Sequence, residues 1–128
     1  MLRESCKGLV GYISDRYRAA AEIGVGHFPD VALALVRKGL RVFATDTKQF
    51  SYRGLKVITD DIEEPEIALY DGVRLLYSLR PPPELIPYMK KLARRLPADL
   101  IVKPLASEHL DRPLRCYQDT TFYLWKFL

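Results

Sequence analysis

Between Arg3 and Tyr17 the apolar side chains Cys6, Leu9, Val10, Ile13 and Tyr17 fall on one helical stripe, with Arg3, Lys7 and Asp15 off it. This spacing predicts a covering helix. The pattern then changes to a short apolar run, "RAAAEI", that ends in glycines and reads as a strand. "PDVALALVRKG" follows as a helix with Pro29 in its first turn and Gly39 just past its end, and "LRVFAT" as a β-branched and aromatic strand. "LKVIT" and "VRLLYSL" are further continuous apolar strands, with "EEPEIALY" between them as a short helix or turn. "PPELIPYMKKLARRL" has the period of an amphipathic helix, and "DLIVKPL" closes the series as another strand. In "LRCYQDTTFYLWKFL" two runs of β-formers flank Gln118 to Thr121, which predicts an antiparallel hairpin at a sheet edge. Strands apolar throughout and alternating with helices are buried on both faces, the mark of a parallel sheet. The expected fold class is therefore α/β: a single Rossmann-like three-layer domain over residues 1–128, its sheet mostly parallel with an antiparallel C-terminal hairpin or edge strand.

Composition narrows this little. A chain of 128 residues is one domain by default and buries roughly two thirds of its extended surface. No stretch approaches the roughly 20 apolar residues of a membrane span, and "MLRESCKGLV" lacks a signal-peptide core, so a cytoplasmic protein without a membrane partner is expected. Cys6 and Cys116 match no metal-ligand spacing, and His27 and His109 form no cluster with them, so neither a metal nor a disulfide is expected. The absence of Asn and the nine prolines fit a thermophilic source. A net charge of +4 suits an anionic partner or solubility alone and decides nothing.

In an open parallel sheet, ligands bind beyond the carboxyl ends of the strands. Those ends carry Glu22-Ile23-Gly24-Val25-Gly26, then Asp46, then Asp60 and Asp61, then Ser78-Leu79-Arg80-Pro81-Pro82-Pro83-Glu84. Gly24 and Gly26 allow a tight turn and close backbone approach, and the helix from Pro29 points its positive end at the same place. Asp46, 22 residues after Gly24, stands where an acid can accept hydrogen bonds from ribose hydroxyls. Pro29 stands where a third glycine would permit close packing around a pyrophosphate, which disfavours a dinucleotide and hence a nicotinamide oxidoreductase. Glu22, an acid just before the glycines, would repel phosphate and suit an ammonium group.

Glu22, Gly24 and Gly26 together resemble the nucleotide loop of class I S-adenosylmethionine-dependent methyltransferases, and the resemblance runs from about Ala19 to Leu105. It implies S-adenosylmethionine as cofactor, with Asp46 holding the ribose and Asp60 or Asp61 near the adenine amine. Over nearly the whole chain, "VGHFPDVALALVRKG", "VFATD" and "LLYSLRPPPEL" resemble uncharacterised protein family 0146, a small archaeal group. That resemblance implies an archaeal source and a Rossmann-like fold, and brings no reaction with it.

Many amine-directed methyltransferases end the fourth strand in Asp or Asn followed by Pro-Pro and an aromatic, whereas this chain has Arg80-Pro81-Pro82-Pro83. A guanidinium donates five hydrogen bonds and accepts none, so Arg80 fits a carboxylate or phosphate on a substrate or ligand, with Ser78, Pro81 and Pro82 around it. The structural alternative pairs Arg80 with Glu84 or Asp61. Glu84 fits the helix dipole better than a general base, and His27 in its turn reads more readily as packing than as catalysis. His109, with Glu108 and Asp111, is a weaker candidate in the loop after the fifth strand. Phe50, Tyr52 and Arg53 either stack on an adenine or cover the sheet. Lys90, Lys91, Arg94 and Arg95 form a basic run near a helix end, open to RNA phosphates or simply to solvent. Tyr117, Phe122, Tyr123, Trp125 and Phe127 supply the core, a homodimer contact through the C-terminal strand, or stacking for bases. Two function classes follow. One is a nucleotide-ligand-binding methyltransferase with no assignable catalytic residue, and the other a non-catalytic relative that binds RNA or a protein partner.

Overall fold

The structure, a computed structural model, describes residues 2, 4–104 and 110–128. Helix α1 (Glu4–Arg16) precedes strand β1 (Ala19–Ile23), α2 (Asp30–Arg37), β2 (Arg41–Asp46) and β3 (Lys56–Thr59). A 3-10 turn (Ile67–Tyr70) leads to β4 (Leu75–Leu79). A second 3-10 turn (Pro83–Leu85), α3 (Ile86–Arg95), β5 (Asp99–Lys103), β6 (Arg115–Tyr117) and β7 (Thr120–Trp125) complete the chain. Each expected element is present. The helix after β4 starts late because Pro82 precedes Pro83 and adopts an extended backbone, φ −56° and ψ 130°, as a residue before proline must.

The seven strands form one sheet in the order β3-β2-β1-β4-β5-β7-β6. The first five run parallel, and β7 turns antiparallel between β5 and β6. Strands β1, β4 and β5 are buried almost end to end, as their unalternating apolar sequences require. One apolar layer packs α1 and α2 against Ala20, Leu75, Tyr77, Ile101 and Phe122, and the opposite layer packs α3 against Ala21, Leu76, Leu100 and Val102.

The helical stripe of α1 does what its spacing predicts: Leu9 and Ile13 are fully buried. Gly8 lets this helix lie close on β7, where a Cβ would stand 3.1 Å from the Thr120 methyl. At the start of β5 the buried Asp99 accepts a hydrogen bond from the Tyr17 hydroxyl at 2.6 Å and from the backbone N–H groups of Phe127 and Leu128, each at 3.1 Å. That carboxylate ties α1 and the C-terminal strand to the sheet.

The terminal hairpin departs from expectation in its aromatics. The hairpin does stand at the sheet edge through β6, but Phe122 joins the apolar layer that holds α1, and Tyr123 and Trp125 join the layer that holds α3, so all three are buried.

Candidate functional site

The parallel strands β1, β2, β3 and β4 end along one rim, and the loop after β1 is shaped there by its glycines. Gly24 and Gly26 have φ of +75° and +53°, a region cheap only for glycine. The N–H groups of Gly24 and Val25 both donate to the Thr45 carbonyl, at 2.9 and 3.2 Å, which folds the loop over the end of β2. Asp46 then fixes it: one carboxylate oxygen accepts from Gly26 N–H at 2.9 Å and the other from Lys48 N–H at 3.0 Å. The Tyr52 hydroxyl donates to the Gly26 carbonyl, and Phe50 stacks between Tyr52 and the edge of His27. Phe50, Tyr52 and His27 therefore brace the loop from outside.

At the end of β3, Asp60 accepts from Glu66 N–H at 3.1 Å and from the Tyr70 hydroxyl at 2.8 Å. Asp61 accepts from Glu63 N–H at 2.9 Å and shapes an exposed turn. At the end of β4 the buried Ser78 hydroxyl donates to the Ile23 carbonyl at 2.7 Å and links the β4 and β1 ends. Arg80 has φ of +51°, a left-handed conformation costly for a residue with a side chain, held by its N–H donating to the Lys103 carbonyl at 2.7 Å. Its exposed guanidinium pairs with neither Glu84 nor Asp61, nor with any other described residue.

These residues enclose two adjoining cavities that share Gly24, Leu79 and Arg80. The first, about 250 Å³, lies on the α3 side and is lined by Gly24, Thr45, Asp46, Asp60, Ser78, Arg80, Pro81 and Pro82, with Ile62 and Met89 as apolar walls. The second, about 230 Å³, lies on the α1 side and is lined by Cys6, Glu22, Val25, Phe28, Arg80 and Lys103. Glu22 and Tyr77 are register partners on that face, and both are buried. Neither Glu22 Oε1 nor the Tyr77 hydroxyl has a hydrogen bond in good geometry. Burial raises the Glu22 carboxyl to about 8, the nearby Tyr77 hydroxyl opposing the shift and Asp30 adding to it. Burial likewise lowers the Lys103 ammonium, with Cys6 opposing and Arg80 reinforcing the shift.

The strand-end residues singled out in the sequence thus divide by position. Gly24, Asp46, Asp60, Ser78, Arg80, Pro81 and Pro82 meet around one cavity, while Glu22 faces the other. Gly26 acts through Asp46, and Asp61 stands apart. Lys103 and Cys6 were not anticipated at the rim. Lys103 ends a parallel strand and was legible by the strand-end rule, whereas Cys6 comes from α1, whose docking the sequence does not specify. His109 and Glu108 lie outside the described residues, and Asp111 pairs with Lys90 at 3.0 Å. Of the basic run, Lys90 also sits 5.4 Å over the Trp125 ring and Arg94 4.9 Å from the Phe127 ring, so both cover core aromatics.

The fold is similar to that of solved methyltransferases. MycE, a methyltransferase of the mycinamycin biosynthetic pathway crystallised with Mg and SAH, aligns over 92% of this chain and 46% of its own, with a TM-score of 0.57 and 10% identity. The antibiotic-resistance methyltransferase Kmr aligns over 88% of this chain and 70% of its own, with a TM-score of 0.52 and 16% identity. This chain spans less than half of MycE, and at these identities the likeness is one of fold. In sequence it is 37% identical over 118 residues to a UPF0146 protein of Archaeoglobus fulgidus, covering 91% of each chain. The family model matches residues 10–126, so the chain, whose fold is similar to that of these methyltransferases, belongs to the uncharacterised protein family UPF0146.

Proposed function

We propose that the rim binds S-adenosylmethionine and that the protein is a methyltransferase whose acceptor carries an anionic group. The observation that carries this reading is the meeting of Gly24, Asp46, Asp60 and Ser78 around one cavity at the ends of β1 to β4. The residues fit such a ligand. Asp46 and Asp60 each accept hydrogen bonds already and keep lone pairs free for ribose hydroxyls and an adenine amine. In the adjoining cavity, the buried Glu22 carboxyl, whose Oε1 lacks a hydrogen bond, suits the ligand's ammonium group. The cofactor would supply an electrophilic methyl group. The chain's own contribution is to hold and orient, since a good nucleophile needs little more than proximity. Arg80, exposed and unpaired among the described residues, grips a carboxylate or phosphate of the acceptor, and the prolines that follow fix its loop at low entropic cost.

The non-catalytic alternative would gain from a rim already filled, by Phe28 or by an Arg80 ion pair. Instead Phe28 is 38% exposed on the wall of the second cavity. Calorimetric titration of Asp46→Ala with S-adenosylhomocysteine tests the reading. Loss of the acceptor for the ribose lowers affinity by at least tenfold, on the order of 1.4 kcal/mol or more. Unchanged affinity in that variant would remove Asp46 from the site and with it the orientation proposed for the ligand.

A further inference from the structure

At the opposite end of the sheet, where the strands begin, a third hollow of about 550 Å³ is lined by Arg16, Arg18, Arg41, Arg74, Gly72 and Leu128. Backbone bonds set the arginines side by side. Arg41 N–H donates to the Arg18 carbonyl at 2.9 Å and Arg74 N–H to the Ala19 carbonyl at 3.2 Å, so three of them mark the entries of the adjacent strands β2, β1 and β4. Neighbouring strands lie about 4.8 Å apart, which spreads these three over roughly 10 Å. All four side chains are exposed, and none forms an ion pair with a described residue.

Two are preset. Arg16 lies 3.9 Å over the Tyr12 ring and donates to the Tyr12 carbonyl, and the Arg41 guanidinium reaches over Gly72, where a Cβ would stand 3.1 Å from it. Among the described residues no Asp or Glu lines the hollow, and like charges gathered there repel one another unless an anion of matching charge density covers them. The residues are arginines throughout, the side chain whose planar fork matches phosphate oxygens.

We propose that this hollow binds the phosphodiester backbone of a single-stranded nucleic acid without reading its sequence. Tyr17, the aromatic residue in its lining, is buried with its hydroxyl on Asp99, and the nearby Tyr12 and Tyr117 rings are covered by Arg16, so among the described residues the lining offers no open ring for a base to stack on. The hollow is separate from the ligand rim by the length of the sheet, about 15 Å for a five-residue strand, and its occupancy does not depend on the function proposed for that rim.

Fluorescence anisotropy with a short labelled oligoribonucleotide of mixed sequence tests this on the full chain. Four cations on a single strand predict a log–log salt slope of about −3. Arg18→Glu with Arg41→Glu lowers affinity at least tenfold and roughly halves the slope, while Arg94→Glu with Arg95→Glu, the same change of charge on α3, leaves both near the wild-type values. Thermal melts of each double variant establish that it is folded. Should the first be unfolded, Arg18→Gln with Arg74→Gln gives a smaller loss in the same direction. Three results would overturn the proposal: no binding at low salt, equal losses from the two charge reversals, or displacement by tripolyphosphate or polyglutamate as readily as by unlabelled RNA. The last would assign the hollow to a free polyphosphate or an acidic peptide.

Discussion

A carboxyl that titrates near 8 is mostly protonated at neutral pH, so in the ligand-free protein Glu22 holds a proton that the unfolded chain releases near 4.5. The folded state binds more protons than the unfolded state between these values, and stability falls as pH rises across that window, levelling off above about 8. Glu22→Gln removes this slope. Denaturant melts over roughly pH 5 to 9 should show the variant gaining on the wild type as pH rises, by up to about 1.4 kcal/mol for each pH step of one inside the window, with the widest gap at the alkaline end. A slope that survives the substitution would place the titration elsewhere. Arg80 carries a different strain. Its φ of +51° is one that glycine adopts freely, so Arg80→Gly should raise stability by about 1 kcal/mol in chemical denaturation while losing the guanidinium. A loss of stability on that change would mean that the side chain supports the fold. Both residues were visible in the sequence as strand-end positions. The burial of Glu22 and the backbone of Arg80 were not, because each depends on what neighbouring strands contribute.

Elements were legible where one signal sufficed. The unbroken apolar runs gave β1, β4 and β5, and the 3.6-residue stripe of Leu9 and Ile13 gave α1. Positions within the sheet were not. The sequence "TTFYLW" reads as half of an edge hairpin, and β6 is the edge partner it finds, but the β5 pairing that makes it an inner strand comes from farther back in the chain. The docking of α1 rests on a bond no local pattern announces, from the Tyr17 hydroxyl to the buried Asp99. Tyr17→Phe leaves packing intact and removes one of the donors to that carboxylate, a loss of about 1–3 kcal/mol measurable by urea denaturation. Full retention of stability would show that Phe127, Leu128 and the Lys126 ammonium, 3.9 Å away, satisfy Asp99 without it.

The whole molecule is a mostly parallel sheet with chemistry at both ends: acids, a serine and a strained arginine where the parallel strands finish, and, where they begin, three arginines joined by Arg16 from the end of α1. The first set was foreseeable, because a glycine loop and acids at successive strand ends converge in any such sheet. The second set is scattered at positions 16, 18, 41 and 74: strand order brings the last three together, and the end of α1 adds Arg16. The charge of +4 therefore said nothing about where an anion would bind. The central claim concerns the first end, and calorimetric titration of the purified, ligand-stripped protein with S-adenosylhomocysteine, against a reduced dinucleotide as control, tests it most directly. The account predicts saturable binding of S-adenosylhomocysteine with release of a proton at neutral pH, as the ligand's ammonium draws the Glu22 carboxyl into its charged form, and no binding of the dinucleotide. Silence toward both, or preference for the dinucleotide, would contradict it.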